Sequence, residues 1–152
     1  MPGAARAALW KPLYLSLGVL VALFLVGAIY DWRGRVVAGR LFPWSIALGA
    51  AFFGLTELFR GASIVLVLYE GTAMVAALAI YSFLAAAHRL KGAGIVTMAI
   101  LLNLAAAAAQ ASRISVRIVF PFDHNGICHL VQIVGIGTLG LGLRLGMQRD
   151  GR

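Results

Sequence analysis

The residues best suited to metal binding or acid–base work in this 152-residue chain are three histidines, five acidic residues and one cysteine. Four of them fall in one stretch, Phe120–Gln132, which reads F-P-F-D-H-N-G-I-C-H-L-V-Q. Imidazole and carboxylate are ordinary zinc ligands, and a water in the open coordination position becomes a nucleophile near neutral pH. On that ground Asp123, His124 and His129 are candidate metal ligands. Asn125, His129 and Gln132 are spaced i, i+4, i+7 and share one face of a helix. His124 and His129 are five apart and diverge by about 140° on a helix, so they can share an ion only if His124 precedes the helix proper. Glu70 lies elsewhere, in the middle of an apolar run. A carboxylate there must be paired or protonated to be tolerated. Glu70 and His129 form the candidate catalytic or proton-relay pair, with Glu57, Asn103, Asn125 and Gln132 as candidate ligand-binding groups. Haem is disfavoured, because two ligands from one short segment cannot clamp both faces of a planar ring.

These groups need elements to hold them, and composition says which. The chain is 62% hydrophobic and 12% charged, where a soluble domain carries about 25% charge. Long apolar runs separated by short basic segments indicate membrane-spanning helices. The expectation is an all-α integral membrane bundle: one domain of five transmembrane helices with short loops, spanning about 12–30, 41–59, 62–87, 93–111 and 124–146. The first run is longer than a signal-peptide core of about 7–15 residues and lacks a small-x-small cleavage site; were it removed, four helices would remain. Asp31–Arg40 reads as a loop, Pro43 as a first-turn proline where the missing N–H is harmless, and Trp44 as an interfacial anchor. Ser112–Phe122 alternates and reads as extended or interfacial, and Asp123 as an N-cap.

The net charge of +8 comes from cations placed in twos and threes at the ends of apolar runs. That is the pattern of topology and anionic headgroups, not of nucleic-acid recognition. Arg6, Lys11, Arg60, Arg113 and Arg117 fall on one side, and the other eight cations on the opposite side. The more positive side is cytoplasmic, so a bacterial inner-membrane protein with its amino terminus outside and carboxyl terminus inside is expected. Helix rise then places Glu70 roughly 12 Å, His129 roughly 8 Å, Gln132 roughly 12 Å and Asn103 roughly 14 Å below the outer surface. The polar groups thus share one half of the membrane. The purely structural alternative is that they hydrogen-bond across helices, worth roughly 1 kcal/mol each in lipid. Gly135–Gly140 matches G-x-G-x-x-G but follows no strand, so a dinucleotide site fails its context test. Glycine- and alanine-rich faces suit contact with a second copy or with other membrane subunits. One cysteine excludes an internal disulfide.

The helix Asn125-Gly-Ile-Cys-His129-Leu-Val-Gln distantly resembles the H-x-x-x-H helix of alkaline ceramidases and the progestin/adiponectin-receptor family. Those are seven-helix, zinc-dependent membrane hydrolases, and the resemblance aligns His129 with their second histidine. Asn125 stands where the first would be, and no serine–aspartate partner motif accompanies it. The same run resembles small bacterial multi-pass membrane proteins to which no activity attaches. Two functions follow as expectations. One is a zinc-dependent hydrolase acting on a lipid-like substrate in an outer-leaflet pocket. The other is a non-enzymatic membrane subunit or small transporter whose polar residues fix packing or relay protons.

Overall fold

Gly34 is where the first two helices part. In the computed structural model α1 runs Gly3–Arg33 and α2 runs Arg35–Leu58, so one residue connects them. Gly34 holds φ 87, ψ 177, a backbone region closed to residues bearing a Cβ. The structure describes residues 3–59, 63–111, 116–117, 121–122 and 124–148, with side chains over 10–59, 64–109 and 126–148. α3 (Ser63–Ala86), α4 (Ala93–Ala111) and α5 (His124–Met147) complete an all-α membrane fold of five helices. Four of the helices are long and apolar enough to cross a bilayer; α4 is apolar but shorter. Its 19 residues reach about 28 Å, close to a hydrocarbon core of about 30 Å.

Two local readings change. The segment expected as an Asp31–Arg40 loop is helical on both sides of Gly34, which keeps backbone groups paired close to lipid. Because α2 therefore starts earlier, Pro43 lies inside it and not in its first turn; the Gly39 carbonyl loses its usual donor. Between α4 and α5 the described residues are extended: β1 (Val116–Arg117) pairs antiparallel with β2 (Pro121–Phe122). The N-cap expected of Asp123 lies outside the described residues.

The chain divides into two compact units, Met1–Ala77 and Leu78–Arg152. In the first, α1 and α2 run antiparallel and meet at glycines. A Cβ on Gly18 would come within 2.5 Å of Phe52 Cδ1, and one on Gly49 within 2.9 Å of the Val19 backbone nitrogen. Only glycine permits that approach. Val21, Ala22, Ala28, Ala38 and Phe52 are buried around it. The early turns of α3 join through Tyr69, whose hydroxyl donates to the Gly18 carbonyl at 2.7 Å and whose ring stacks on Phe52 at 4.5 Å.

In the second unit α4 and α5 form the matching antiparallel pair. A Cβ on Gly142 would lie 2.9 Å from the Val96 backbone nitrogen, and one on Gly135 2.7 Å from the Asn103 amide. Ala93, Val96, Ala99, Ile100, Ala106 and Cys128 are buried, as are Tyr81 and Leu84 from the later turns of α3. α3 closes with Arg89 N–H donating to the Leu84 carbonyl and His88 N–H to the Ala85 carbonyl. His88 takes φ 51, the left-handed cap position that glycine usually fills.

Candidate functional site

The polar residues singled out above distribute between the two units. Glu70 is half-buried on α3 in the first. The hydroxyl of its neighbour Tyr69 donates to the Gly18 carbonyl of α1. Among the described residues the Glu70 carboxylate has no ion-pair partner. Glu57, at the end of α2, has one: its Oε2 lies 2.8 Å from Lys11 Nζ, with the two side chains 44% and 54% exposed. Lys11 was not legible as that partner from the span assignment alone. The signal was available in the numbering, since Lys11 and Glu57 are equidistant from Gly34, the pivot of the hairpin. The hydroxyl of Thr56, beside Glu57, is spent on the Phe53 carbonyl one turn back.

In the second unit, Asn103 donates through Nδ2 to the Ala99 carbonyl of its own helix at 2.9 Å. Its amide occupies the space that a side chain at position 135 would need. It therefore meets α5 at Gly135. The buried line of α5 is Cys128, Gly135 and Gly142, a heptad spacing that keeps one stripe against α4. His129 follows Cys128 by 100° around the helix and is exposed, while Gln132 is half-buried on the shoulder of the stripe. Cys128 is only 4% exposed, in keeping with a small buried apolar residue.

α5 begins at His124, so positions 124 and 129 belong to one helix and are separated by about 140° around its axis. Asp123 and the side chains of His124 and Asn125 lie outside the described residues. Among those that are described, no three His, Cys, Asp or Glu side chains converge on a metal-sized site. Nor is any buried side-chain nitrogen or oxygen without a hydrogen-bond partner. Ser45 and Thr97, and the more exposed Thr72 and Thr138, each donate to a carbonyl three or four residues earlier. The polar chemistry that the described spans hold is thus largely turned inward onto their own backbone.

No curated protein and no solved structure matches the chain, and the resemblance to alkaline ceramidases and the progestin/adiponectin-receptor family gains no support from a relative. One family model does match, described as a family of unknown function, DUF6962, over residues 2–148. With almost the whole chain inside that match, the protein belongs to the DUF6962 family.

Proposed function

We propose that this chain is a non-enzymatic membrane subunit, in which buried polar residues set helix packing and an outward face of α5 receives another membrane helix. One observation carries the reading: the Asn103 amide is held by its own helix and fills the notch of Gly135, so a polar group deep in a span serves contact between helices. The partner surface is suggested by the glycines left over. Gly135 and Gly142 are taken up by α4, whereas a Cβ on Gly137 or Gly140 would meet nothing within 4 Å. Gly137 and Gly140 stand about one turn apart on the exposed side of α5, where paired small residues let a second helix backbone approach closely. The occupant is a second copy of the chain or another membrane subunit. The setting is a bacterial inner membrane, amino terminus outside, as the distribution of cations supports.

The test is the size of the full chain purified in mild detergent, measured by multi-angle light scattering with metal analysis of the same sample. A defined oligomer or a stoichiometric membrane partner is expected, and Gly137→Leu/Gly140→Leu should reduce it to the monomer with helicity unchanged. A monomeric wild type carrying one zinc that His129→Ala removes would overturn this reading in favour of the zinc-dependent hydrolase.

A further inference from the structure

The α1–α2 hairpin is longer than the hydrocarbon it crosses. The uncharged run of α1 ends at Tyr30 and that of α2 begins at Leu41, yet both helices continue to Gly34. Arg35–Arg40 adds about 9 Å beyond the apolar run of α2, and Asp31–Arg33 about 5 Å beyond that of α1. The headgroup layer on each side of a bilayer is about 5–8 Å thick. The projecting tip therefore matches that layer in height.

Its composition matches too. The tip carries Arg33, Arg35 and Arg40 against one acid, Asp31, an excess of two positive charges. All three arginines are exposed. The Arg33 guanidinium lies 4.0 Å from the centre of the Trp32 ring, a stacked geometry that leaves its N–H edge free to donate. Below Arg33 and Arg35 stands Tyr30 on α1, and below all three arginines stands Trp44 on α2, which is 68% exposed and one turn deeper than Arg40. Arginine at phosphate height over tryptophan at the acyl boundary is the arrangement that holds a lipid by both ends.

We propose that the hairpin tip is a binding surface for anionic glycerophospholipid, with Arg33, Arg35 and Arg40 receiving the phosphate-bearing headgroups and Trp44 lying along the lipid beneath them. Guanidinium meets a phosphate through two parallel N–H···O bonds, which an ammonium cannot reproduce. The opposite end of the same hairpin provides an internal control, since Lys11 there is already paired with Glu57 beside Trp10.

The experiment uses the full chain reconstituted in vesicles of phosphatidylcholine and phosphatidylglycerol, with bromine on the acyl chains of one lipid or the other. Tryptophan quenching reports which lipid lies beside each ring. Trp44 is isolated by Trp10→Phe and Trp32→Phe, and Trp10 by Trp32→Phe and Trp44→Phe. At Trp44, phosphatidylglycerol is expected to associate about fivefold more strongly than phosphatidylcholine, the effect of roughly one well-placed cation. At Trp10 the two lipids should quench alike. Arg33→Gln/Arg35→Gln/Arg40→Gln should bring the Trp44 ratio to one, and the matching lysine triple should leave it part-way. Should the glutamine triple fail to insert, Arg40→Gln alone, which leaves the turn intact, decides by whether the ratio falls. Millimolar glycerol phosphate added outside should leave the ratio unchanged; its collapse would assign the surface to soluble phosphates and overturn the lipid reading. A wild-type ratio of one at Trp44, an equal preference at Trp10, or a preference that survives removal of the arginines would each overturn it as well.

Discussion

The Tyr69 hydroxyl donates to the carbonyl of Gly18, an oxygen already inside a helix. A carbonyl has two lone pairs, and Gly18 has no side chain to shield the second, so the phenol reaches it at 2.7 Å. Tyr69→Phe removes this bond and keeps the stack on Phe52. The expected loss is about 0.6 kcal/mol, the mean found for side-chain bonds between membrane helices, measured by reversible unfolding in mixed detergent. Tyr69→Ala should lose several times more, because it also removes the ring; equal losses for the two would show that the hydroxyl contributes everything and the ring nothing. Residue chemistry was legible only in part at this scale. That Asn103 and Thr56 are costly in an apolar run could be read from type and position, but not where each hydrogen bond ends. Asn103 had the option of bonding across to another helix or back to its own; it bonds back to Ala99 and sits against Gly135, a residue with no side chain to announce itself. Glu57 shows the converse: its carboxylate went to Lys11, a residue counted among the topology-setting cations and not in any pocket.

Helix existence was legible from apolar run length, and helix ends were not. α1 and α2 pass through Asp31, Arg33, Arg35 and Arg40 because charge does not break a helix; it only moves the water boundary along it. The break falls at Gly34, where backbone freedom, not polarity, decides. Glycine also separates contact from surface within each element. Gly49 and Gly54 lie on the same helix, but a Cβ at 49 would press on the Val19 backbone whereas one at 54 would meet nothing within 4 Å. Gly49→Ala is therefore expected to destabilise the α1–α2 pair by about 1–3 kcal/mol, since backbone must shift to relieve the overlap. Gly54→Ala should be neutral or stabilising by up to about 1 kcal/mol through helix propensity. Unfolding of both variants in the same detergent series checks the contrast, and a Gly49→Ala protein as stable as Gly54→Ala would mean that the helices do not approach at that point.

At the scale of the molecule, the number of crossings decides which ends share a side, and α4 is the element on which the number turns. It is shorter than the other four helices, and its apolar length of about 28 Å leaves little margin against the bilayer core. Its register against α5 argues that it crosses nonetheless: Gly142 meets Val96 near the start of α4, and Gly135 meets Asn103 two turns later, so the two helices are side by side through most of the length α5 needs to span. If all five helices cross, residues 36 and 147 lie on one side and residue 59 on the other. If α4 does not cross, residue 147 changes sides. Cys128 is the only native thiol and is buried, so Cys128→Ser gives a background in which Val36→Cys, Phe59→Cys and Met147→Cys can each be introduced at exposed positions. A membrane-impermeant maleimide added to sealed, right-side-out vesicles is expected to label Phe59→Cys at once, and the other two only after permeabilisation. Labelling of Val36→Cys and Met147→Cys without Phe59→Cys would keep five crossings and invert the orientation that the eight-to-five cation distribution implies. Labelling of Phe59→Cys and Met147→Cys together would remove α4 from the membrane, and with it the outer-half placement of Asn103.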